Sequence, residues 1–416
     1  MQQINHTANL LKPEQRPSHP NYRWIVLAIG VIAQASFSIG FSGLPATSVL
    51  MRSAYVMSNA ELGVVLGAMA LGVTLSEILW GLLTDFFGDR RVLLIGLCSS
   101  GVVFALMSFI ATPGIDRIPS YLLLGMCLVV VGALGGSVNS SSGRAIMTWF
   151  KDGRRGLAMS IRQTAIPVGG ALGAALLPWL ALQYGFEAVF RTLAFICLAS
   201  TAATWLWLHE AEGHPSAQPA APARDERSPL LRASVWRLAL ASSLLTVPQI
   251  AVLAFTGVFL RDERQVGLVV ISGTLIAVQL IGGALRIWSG QFTDRHANRR
   301  TVMRAIGLCT GVSALALALF THASVTLAVG LLGVTGLFAN AWHGVAYTEI
   351  AVMAGPRHAG TALGMEGMTI FATAFLVPLL IPQLLAVSSW PVVWGVIGVT
   401  VLLAVPMLPG GQTTKL

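Results

Sequence analysis

Four ionisable residues stand inside long apolar segments, where a charged side chain costs about 2.5–3.5 kcal/mol on insertion scales and therefore needs a reason. They are Glu77, Arg162, Arg286 and Glu366. An arginine presents a planar fork of donors that fits a carboxylate or another small oxyanion. A glutamate in a low-dielectric site can hold a proton. These residue types predict a substrate-binding anion site at Arg286 and Arg162, with proton coupling at Glu77 and Glu366.

A charged loop signature occurs twice between the apolar segments, with its copies 209 positions apart (Gly81 to Gly290). An internal repeat of this length in so hydrophobic a chain indicates two fused homologous halves, which is a transporter architecture. The matched residues are Gly81, Asp85, Arg90 and Arg91 in the first copy, and Gly290, Asp294, Arg299 and Arg300 in the second.

The repeat places opposite charges at matched positions. Glu77 and Arg286 each precede the aspartate of their own signature by eight residues. Arg162 and Glu366 each follow, by six residues, the glycine of a Gly-x-Ala sequence that the fifth and eleventh segments share. At 1.5 Å per residue, all four lie roughly 9–12 Å inside the cytoplasmic ends of their helices.

Matched amides in the fourth and tenth segments are further substrate-binding candidates. The pattern Gly-x2-Gly-x3-Asn-x3-Gly occurs at 132–143 and at 333–344, which makes Asn139 and Asn340 equivalent. If the glycines mark tight helix contacts, both amides point into the bundle. They either bind a solute from both halves or form helix–helix hydrogen bonds. His343, nearly one turn after Asn340, is a third candidate and a possible proton relay, although a lone histidine is more often a satisfied interior residue.

The elements that carry these residues are predicted to be membrane-spanning helices. Of the 416 residues, 55% are hydrophobic and only 10% are charged, against roughly 25% in soluble domains. About 20 apolar residues in a helix span the roughly 30 Å of hydrocarbon in a bilayer. The sequence predicts twelve spans, near 24–50, 61–84, 92–111, 120–147, 156–182, 188–208, 236–260, 266–293, 301–321, 324–349, 359–385 and 390–408.

The predicted fold is an all-α integral membrane protein of two pseudo-symmetric six-helix bundles. Related positions recur in helices 1, 4, 7 and 10, which implies a pseudo-twofold axis along the membrane normal. A polar stretch rich in proline, alanine and charge separates the halves and is typical of a flexible linker. The predicted domains are a cytoplasmic tail (1–22), an N-terminal bundle (23–208), a cytoplasmic linker (209–235), a C-terminal bundle (236–408) and a second tail (409–416).

The net charge of +9 follows the topology of the chain rather than indicating nucleic acid as a partner. Eighteen Lys and Arg residues fall in the tails and even-numbered loops, against five on the opposite face. This positive-inside pattern predicts that both termini are cytoplasmic and that the chain is a multi-pass protein of the cell inner membrane. Residues 1–22 contain no apolar core, so we expect no cleaved signal peptide.

The repeated signature resembles the G-x-L-x-D-R-x-G-R-R loop motif of the major facilitator superfamily, and the resemblance covers residues 23–408. The copies are GLLTDFFGDRR (81–91) and GQFTDRHANRR (290–300). The first copy lacks the Arg after Asp85, and the second has Ala297 where the family prefers Gly. The resemblance implies a monomeric secondary transporter that moves a small-molecule substrate by alternating access, without a cofactor.

The resemblance also implies which helices meet. In the family the second helix packs beside the eleventh and the fifth beside the eighth, so Glu77 would share a wall with Glu366, and Arg162 with Arg286. Two neighbouring carboxylates in low dielectric cannot both ionise easily, so one is expected to carry a proton.

Arg286 in addition resembles a known substrate residue. An arginine four residues before the motif glycine of the eighth helix is similar to the substrate arginine of monocarboxylate transporters and of nitrate/nitrite and oxalate/formate porters. Nitrate porters also have arginine at the equivalent position of the first half, where this chain has Glu77. This difference disfavours nitrate as the cargo.

The family resemblance assigns the paired loop motifs a gating role. Asp85 and Asp294 are expected to hold an outward-open state by pairing with basic residues of the opposite half, and to release them as the halves rock. Arg144, near the cytoplasmic end of the fourth helix, either snorkels to the interface or contacts the solute. The expected partners are Arg357 or His358 for Asp85, and Arg154 or Arg155 for Asp294.

Three alternatives remain at this point. The four intramembrane charges could form a salt-bridged cluster that gates without touching substrate. A partial match to the Gly-Pro-x-x-Gly-Gly signature of antiporters, at 166–170, keeps proton-antiport efflux of drugs or metabolites open. A remote alternative is a membrane sensor that does not transport. The chain has no nucleotide-binding loop, nucleophile triad or zinc motif, so we predict no enzyme activity. The main prediction is a proton-coupled symporter of a small organic anion.

Overall fold

The computed structural model describes residues 21–114, 117–151, 153–210 and 227–408, and the regular structure in these ranges is helical. The predicted all-α fold is therefore confirmed. Most of the two tails and the centre of the linker lie outside the described residues, and the domain limits drawn there stay predictions. The first half contains α1 (Tyr22–Ala46), α2 (Ser48–Ala54), α3 (Asn59–Phe87), α4 (Asp89–Ile110), α5 (Tyr121–Gly135), α6 (Ser137–Trp149) and α7 (Arg155–Trp207). The second half contains α8 (Ala233–Val258), α9 (Leu268–His296), α10 (Arg299–Leu319), α11 (Val325–Asn340), α12 (His343–Ala354), α13 (Ala359–Val387) and α14 (Trp390–Met407).

Eleven helical stretches of the described chain are long and apolar enough to cross a membrane, and one of them crosses twice. Helix α7 has 53 residues, about 80 Å at 1.5 Å per residue, which is more than twice the hydrocarbon thickness. Gly185 interrupts it with φ 77° and ψ 179°, a conformation open to glycine because it has no Cβ. The chain reverses there, and the twelve predicted crossings are present.

The fourth and tenth crossings are each broken into two helices, where the sequence predicted continuous ones. Helix α5 ends at Gly135 and α6 begins at Ser137, while α11 ends at Asn340 and α12 begins at His343. Both breaks fall in or just after the repeated Gly-x2-Gly-x3-Asn pattern, whose glycines lower helix propensity. The second break makes Asn340 the last residue of α11, whereas Asn139 lies inside α6.

Each half packs around its own apolar core and also presents apolar side chains outward. Phe104 and Phe190 are buried in the first half, and Trp394 in the second. On the outer surface, Phe109 is 72% exposed and Leu280 is 71% exposed. An outer surface this apolar is suited to contact with lipid hydrocarbon rather than with water. This agrees with a multi-pass membrane protein.

The two halves meet at the end of the bundle that carries the repeated loop signature, here called the motif end. Helix α3 packs on α13 and α7 packs on α9, as the family resemblance implied. A Cβ added to Gly81 would lie 2.5 Å from the carbonyl oxygen of Gly360, and one added to Gly156 would lie 2.7 Å from that of Gly290. The motif glycines thus allow main chain to touch main chain across both interfaces.

We predict that Gly290→Ala lowers the thermal stability of the purified protein. The new methyl group would overlap the carbonyl oxygen of Gly156 and the hydroxyl of Ser160, and overpacking of this kind typically costs about 1–3 kcal/mol. The matched control is Gly273→Ala on the same helix, where a Cβ meets no atom within 4 Å.

The control should leave the melting temperature unchanged or raise it, since alanine favours a helix over glycine by about 0.5–1 kcal/mol. Thermal unfolding in detergent compares the two variants. Equal destabilisation by both would show that the close contact at Gly290 is not what matters.

Candidate functional site

Arg162 is completely buried in the first half and bonds only to neutral acceptors there. Its Nε donates to Ser142 Oγ at 2.8 Å, and one terminal nitrogen donates to Gln34 Oε1 at 2.8 Å. The same nitrogen donates to the main-chain oxygen and to Oδ1 of Asn139, at 2.7 and 2.9 Å. The guanidinium therefore ties helices α1, α6 and α7 together.

Arg286 makes the corresponding contacts in the second half and is also buried. Its Nε donates to the main-chain oxygen of Asn340 at 2.9 Å, and a terminal nitrogen donates to Asn340 Oδ1 at 3.1 Å. Asn340 is the last residue of α11, so its carbonyl lacks an intrahelical partner. The other terminal nitrogen crosses between the halves and donates to the main-chain oxygen of Gln163 at 2.7 Å.

Neither arginine has a carboxylate partner in the described part of the chain, where the ion pairs within 4 Å lie elsewhere. The four intramembrane charges therefore do not form a salt-bridged cluster in this structure. A buried charge without an opposite charge is costly in low dielectric. Two such guanidiniums make this region chemically suited to a small anion.

Glu77 lies next to Arg162 without touching it. Its Oε2 accepts a hydrogen bond from Ser140 Oγ at 3.2 Å, while its Oε1 lies near the Asn139 side chain and makes no hydrogen bond of regular geometry among the described residues. The main chain of α13 approaches closely here, because a Cβ on Gly367 would lie 2.7 Å from both Glu77 Oε1 and Asn139 Nδ2. This carboxylate oxygen therefore faces the interface between the halves.

Glu366 does not share a wall with Glu77, which corrects the expectation drawn from helix pairing. Its Oε1 accepts a hydrogen bond from Ser242 Oγ of α8 at 2.9 Å, inside its own half. The reason is helix rotation. The next residue, Gly367, faces Glu77, and one residue along an α-helix turns the side chain by about 100°. The two carboxylates therefore point into different surroundings, and this structure does not support the predicted sharing of a proton between them.

The side chains of Arg162 and Arg286 lie on neighbouring helices but do not point toward a common space. Arg286 reaches across to the main chain of Gln163, the neighbour of Arg162, but the side chain of Arg162 turns into its own half. The side chain of Gln163 is also fully buried, and neither its Oε1 nor its Nε2 has a partner among the described residues. The predicted arginine wall is therefore staggered along the interface.

The two asparagines and His343 are held by the protein rather than left open. Asn340 Oδ1 also accepts from Gln249 Nε2 at 3.1 Å, and its Nδ2 donates to the main-chain oxygen of Gly336 at 2.9 Å. His343 Nδ1 lies 3.4 Å from a terminal nitrogen of Arg286, and its ring stacks on Trp342 with centroids 3.9 Å apart. Both asparagines act here as acceptors for the arginines.

Tyr347 is the central residue that the predicted site omitted. Its hydroxyl accepts a hydrogen bond from Asn139 Nδ2 at 3.2 Å, which links the two halves. It also lies within electrostatic range of both buried glutamates and both buried arginines. The signal available in the sequence was its spacing: four residues after His343 and seven after Asn340 place all three along one side of the crossing.

At the motif end, Asp85 and Asp294 do contact the opposite half, but through main-chain amides. Asp85 accepts hydrogen bonds from the amides of Gly360 and Thr361 at 2.9 and 2.7 Å, and from Thr361 Oγ1 at 2.6 Å. Asp294 accepts from the amides of Gly156 and Leu157 at 2.9 and 2.8 Å. Each aspartate thus caps the first turn of a helix in the opposite half.

The predicted partners of these aspartates, which were arginine or histidine side chains, are wrong. The glycine contacts bring the helices so close that each carboxylate reaches main-chain amides directly, where the helix dipole also favours a negative charge. Arg144 is likewise neither snorkelling nor free for a solute: it is buried, with Nε 3.1 Å from Asp85 and a terminal nitrogen 2.7 Å from Asp89.

Three of the four arginines of the two loop signatures bind within their own halves. Arg90 donates to the main-chain oxygen of Trp205 at 2.8 Å, and Arg91 is exposed. Arg300 pairs with Glu349 at 2.6 Å, while Arg299 lies 3.6 Å from Asp294 and 3.8 Å from Glu349. Within the described ranges, no three His, Cys, Asp or Glu side chains are grouped to hold a metal ion.

Comparison with known proteins gives matches along most of the chain. A sequence model of the Major Facilitator Superfamily matches residues 30–364. The chain is 28% identical over 395 residues to an uncharacterized MFS-type transporter of Mycobacterium tuberculosis (strain H37Rv), covering 94% of this chain and 86% of that protein. It is 23% identical over 414 residues to the membrane sensor protein UhpC of Salmonella typhimurium, covering 92% and 90%. The solved structure of the proton:xylose symporter XylE superposes with a TM-score of 0.76 at 15% identity, covering 93% of this chain and 95% of that one.

We predict that Asp85→Asn opens the motif end more often. Loss of a charged cap costs about 0.5–2 kcal/mol, which corresponds to an opening equilibrium raised roughly two- to thirtyfold. The reporter is Leu363→Cys, a fully buried position one turn inside the capped end of α13. Its labelling by a membrane-impermeant maleimide is measured in vesicles after replacement of the native thiols at Cys98, Cys127, Cys197 and Cys309.

The control is Glu187→Gln, which removes an exposed carboxylate that pairs with Arg191 on the same helix. This variant should label at the parent rate. If Asp85→Asn labels no faster than the control, the helix cap does not hold the motif end closed.

Proposed function

The chain belongs to the Major Facilitator Superfamily and is a secondary transporter of that family; we propose that its solute is a small organic carboxylate and that transport is coupled to protons. The observation that carries the proposal is the pair of fully buried arginines, Arg162 and Arg286, that bond only to neutral acceptors. Guanidinium groups in such surroundings gain most from an anionic ligand, and their planar forks match a carboxylate.

The carboxylate is proposed to bind Arg286 first. In the present state Asn340 Oδ1 and the Gln163 carbonyl occupy its terminal nitrogens at 3.1 and 2.7 Å. A solute carboxylate replaces these two neutral acceptors with two parallel N–H···O bonds from the guanidinium fork to an anion, so that the buried positive charge gains an opposite charge. The freed amide of Asn340 then turns to the solute, and Asn139 with Arg162 receives it from the other half. His343 lies beside this site.

Glu77 is proposed to be the proton-coupling residue. It is fully buried and stands at the interface between the halves, beside Arg162 and the α13 main chain at Gly367. Neutralising it removes a negative charge beside Arg162 that would repel the anion, so proton uptake and carboxylate binding favour each other. Glu366 is a second candidate and acts through Ser242 and α8.

Transport is proposed to follow alternating access, with the motif end facing the cytoplasm. The distribution of Lys and Arg favours this orientation and cytoplasmic termini in the cell inner membrane. The contacts of Asp85 and Asp294 with the helix ends of the opposite half hold that side shut in the state described here. We further propose that the chain works as a monomer.

Two alternative functions can be distinguished from carboxylate transport by experiment. One alternative is sensing without transport, because a protein named as a membrane sensor is similar over 92% of the chain. Proton-antiport efflux of lipophilic cations is the other alternative. Flux of a labelled carboxylate into proteoliposomes distinguishes transport from sensing, and a ligand panel distinguishes anions from cations.

We predict that carboxylates raise the melting temperature of the purified protein and that Arg286→Gln abolishes this shift. Ligand at 100 times its dissociation constant stabilises the folded state by about 2.7 kcal/mol. Arg286→Lys, which keeps the charge but loses the fork, should retain part of the effect. The control is Arg191→Gln, an exposed arginine far from the site. Stabilisation by lipophilic cations alone, equal in parent and Arg286→Gln, would exclude the anion site.

We also predict that Glu77→Gln separates solute movement from proton movement. The amide keeps the shape of the side chain but cannot exchange a proton. Carboxylate added to proteoliposomes should acidify a trapped pH dye with the parent protein and not with the variant, while exchange of labelled carboxylate persists. Glu366→Gln, measured in parallel, decides between the two acids. Unchanged acidification in both variants would refute coupling at either position.

A further inference from the structure

A cavity of about 360 Å³ lies between the two halves at the motif end, away from the central arginines. This volume is within the range of roughly 300–1,000 Å³ that is usual for small-molecule sites. Its described lining contains none of the buried arginines, glutamates or asparagines of the central site. We call it the α1–α9 crevice; it is lined by Trp24 of α1, Arg154 and Leu157 at the start of α7, and Gln291, Asp294 and Arg295 of α9.

The charge at the mouth of the crevice is positive. Arg154 and Arg295 are both exposed, and no carboxylate of the described residues lies within 4 Å of either guanidinium. Asp294 also lines the crevice, but its oxygens accept hydrogen bonds from two amides at the start of α7, and Arg299 lies 3.6 Å away. Its negative charge is therefore largely compensated, and the crevice favours an anion.

The surface changes from apolar to cationic over two turns of α9. Trp288, which is 57% exposed, Gln291 and Arg295 are spaced by three and four residues and lie on one side of the helix. On α1 the exposed Trp24 and Ile32 continue the apolar wall away from the motif end. Along this surface an apolar region is followed by an amphipathic one and then by a cationic one. A phospholipid presents its acyl chains, glycerol and phosphate in the same order.

The internal repeat shows that the fold does not require these polar residues. The equivalent surface of α3, next to α13, is apolar at all three matched positions, and its outermost residue, Phe86, is 74% exposed. At these three positions the two helix surfaces therefore differ in chemistry: α9 carries a cation and an amide where α3 carries apolar side chains. The matched pairs are Arg295 and Phe86, Gln291 and Leu82, and Trp288 and Leu79.

We propose that the α1–α9 crevice binds the headgroup of an anionic phospholipid of the surrounding leaflet. The phosphate lies between Arg154 and Arg295, and the acyl chains extend along Trp288 and Ile32. Because Trp24 and Arg154 belong to the first half and Arg295 to the second, a bound lipid touches both halves beside the cap on Asp294. Binding thus favours the state closed at the motif end, whatever the transported solute is.

The test is lipid retention by the full-length protein in bilayers of phosphatidylglycerol and phosphatidylcholine at equal amounts. After transfer to nanodiscs, native mass spectrometry counts the lipids that stay bound as the nanodisc is stripped. We expect phosphatidylglycerol to be enriched in the retained fraction. The double variant Arg154→Gln/Arg295→Gln should lose this preference by about fivefold per arginine removed.

Three further variants make the result specific. Arg357→Gln removes an exposed arginine just before α13, outside the α1–α9 crevice, and should leave the preference unchanged. Arg295→Phe, which makes the crevice resemble its repeat partner, should weaken the preference about as much as Arg295→Gln. Phe86→Arg, placed on the exposed surface of α3, should add retained phosphatidylglycerol.

A second measurement separates lipid from a soluble anion. Short-chain phosphatidylglycerol should raise the melting temperature of the detergent-solubilised parent and not of the double variant, whereas inorganic phosphate and glycerol phosphate at the same concentration should have little effect. Equal stabilisation by the soluble anions would overturn the proposal in favour of a phosphate site. Equal loss of preference in Arg357→Gln, or full preference in the double variant, would also overturn it.

Discussion

A guanidinium in the interior of an apolar bundle must have acceptors for its N–H groups. This chain buries two such groups, those of Arg162 and Arg286. Carboxylates would be the usual answer, but Arg162 and Arg286 instead bond to amide, hydroxyl and main-chain oxygens. The surrounding structure supplies these acceptors. The tenth crossing breaks just after Asn340, so a helix-terminal carbonyl is available to Arg286. In the first half, the fourth crossing breaks shortly before Asn139, which offers Arg162 both its main-chain and its side-chain oxygen.

The two halves share a backbone plan while their chemistry differs. Glu77 and Arg286 occupy equivalent positions, and each contacts the broken crossing of its own half, one through Ser140 and the other through Asn340. Arg162 and Glu366 are also equivalent, yet each turns into its own half. The gate keeps the symmetry more closely, since both aspartates cap the first turn of a helix in the opposite half.

The gate and the central site are joined by rigid helices. Helix α7 carries the capped amide of Gly156 and, six residues further, Arg162. Helix α9 carries Asp294 and, eight residues earlier, Arg286. A movement that separates Asp294 from the end of α7 therefore displaces both arginines relative to each other and strains the Arg286–Gln163 hydrogen bond. The same two helices, α7 and α9, therefore carry both the contacts at the motif end and the two buried arginines.

The sequence by itself determined the twelve crossings, the two halves, the repeated loop signature and the identity of the buried charges. These follow from apolar length and from residue spacing, which are properties of the chain alone. Only the tertiary structure decided what each charge contacts. Glu366 misses Glu77 because of a rotation of one residue, Asp85 finds main-chain amides because glycines let two helices touch, and Tyr347 enters the site from a crossing that breaks just before it. Main-chain acceptors and helix rotation depend on packing between segments distant in the chain, and residue type does not encode them.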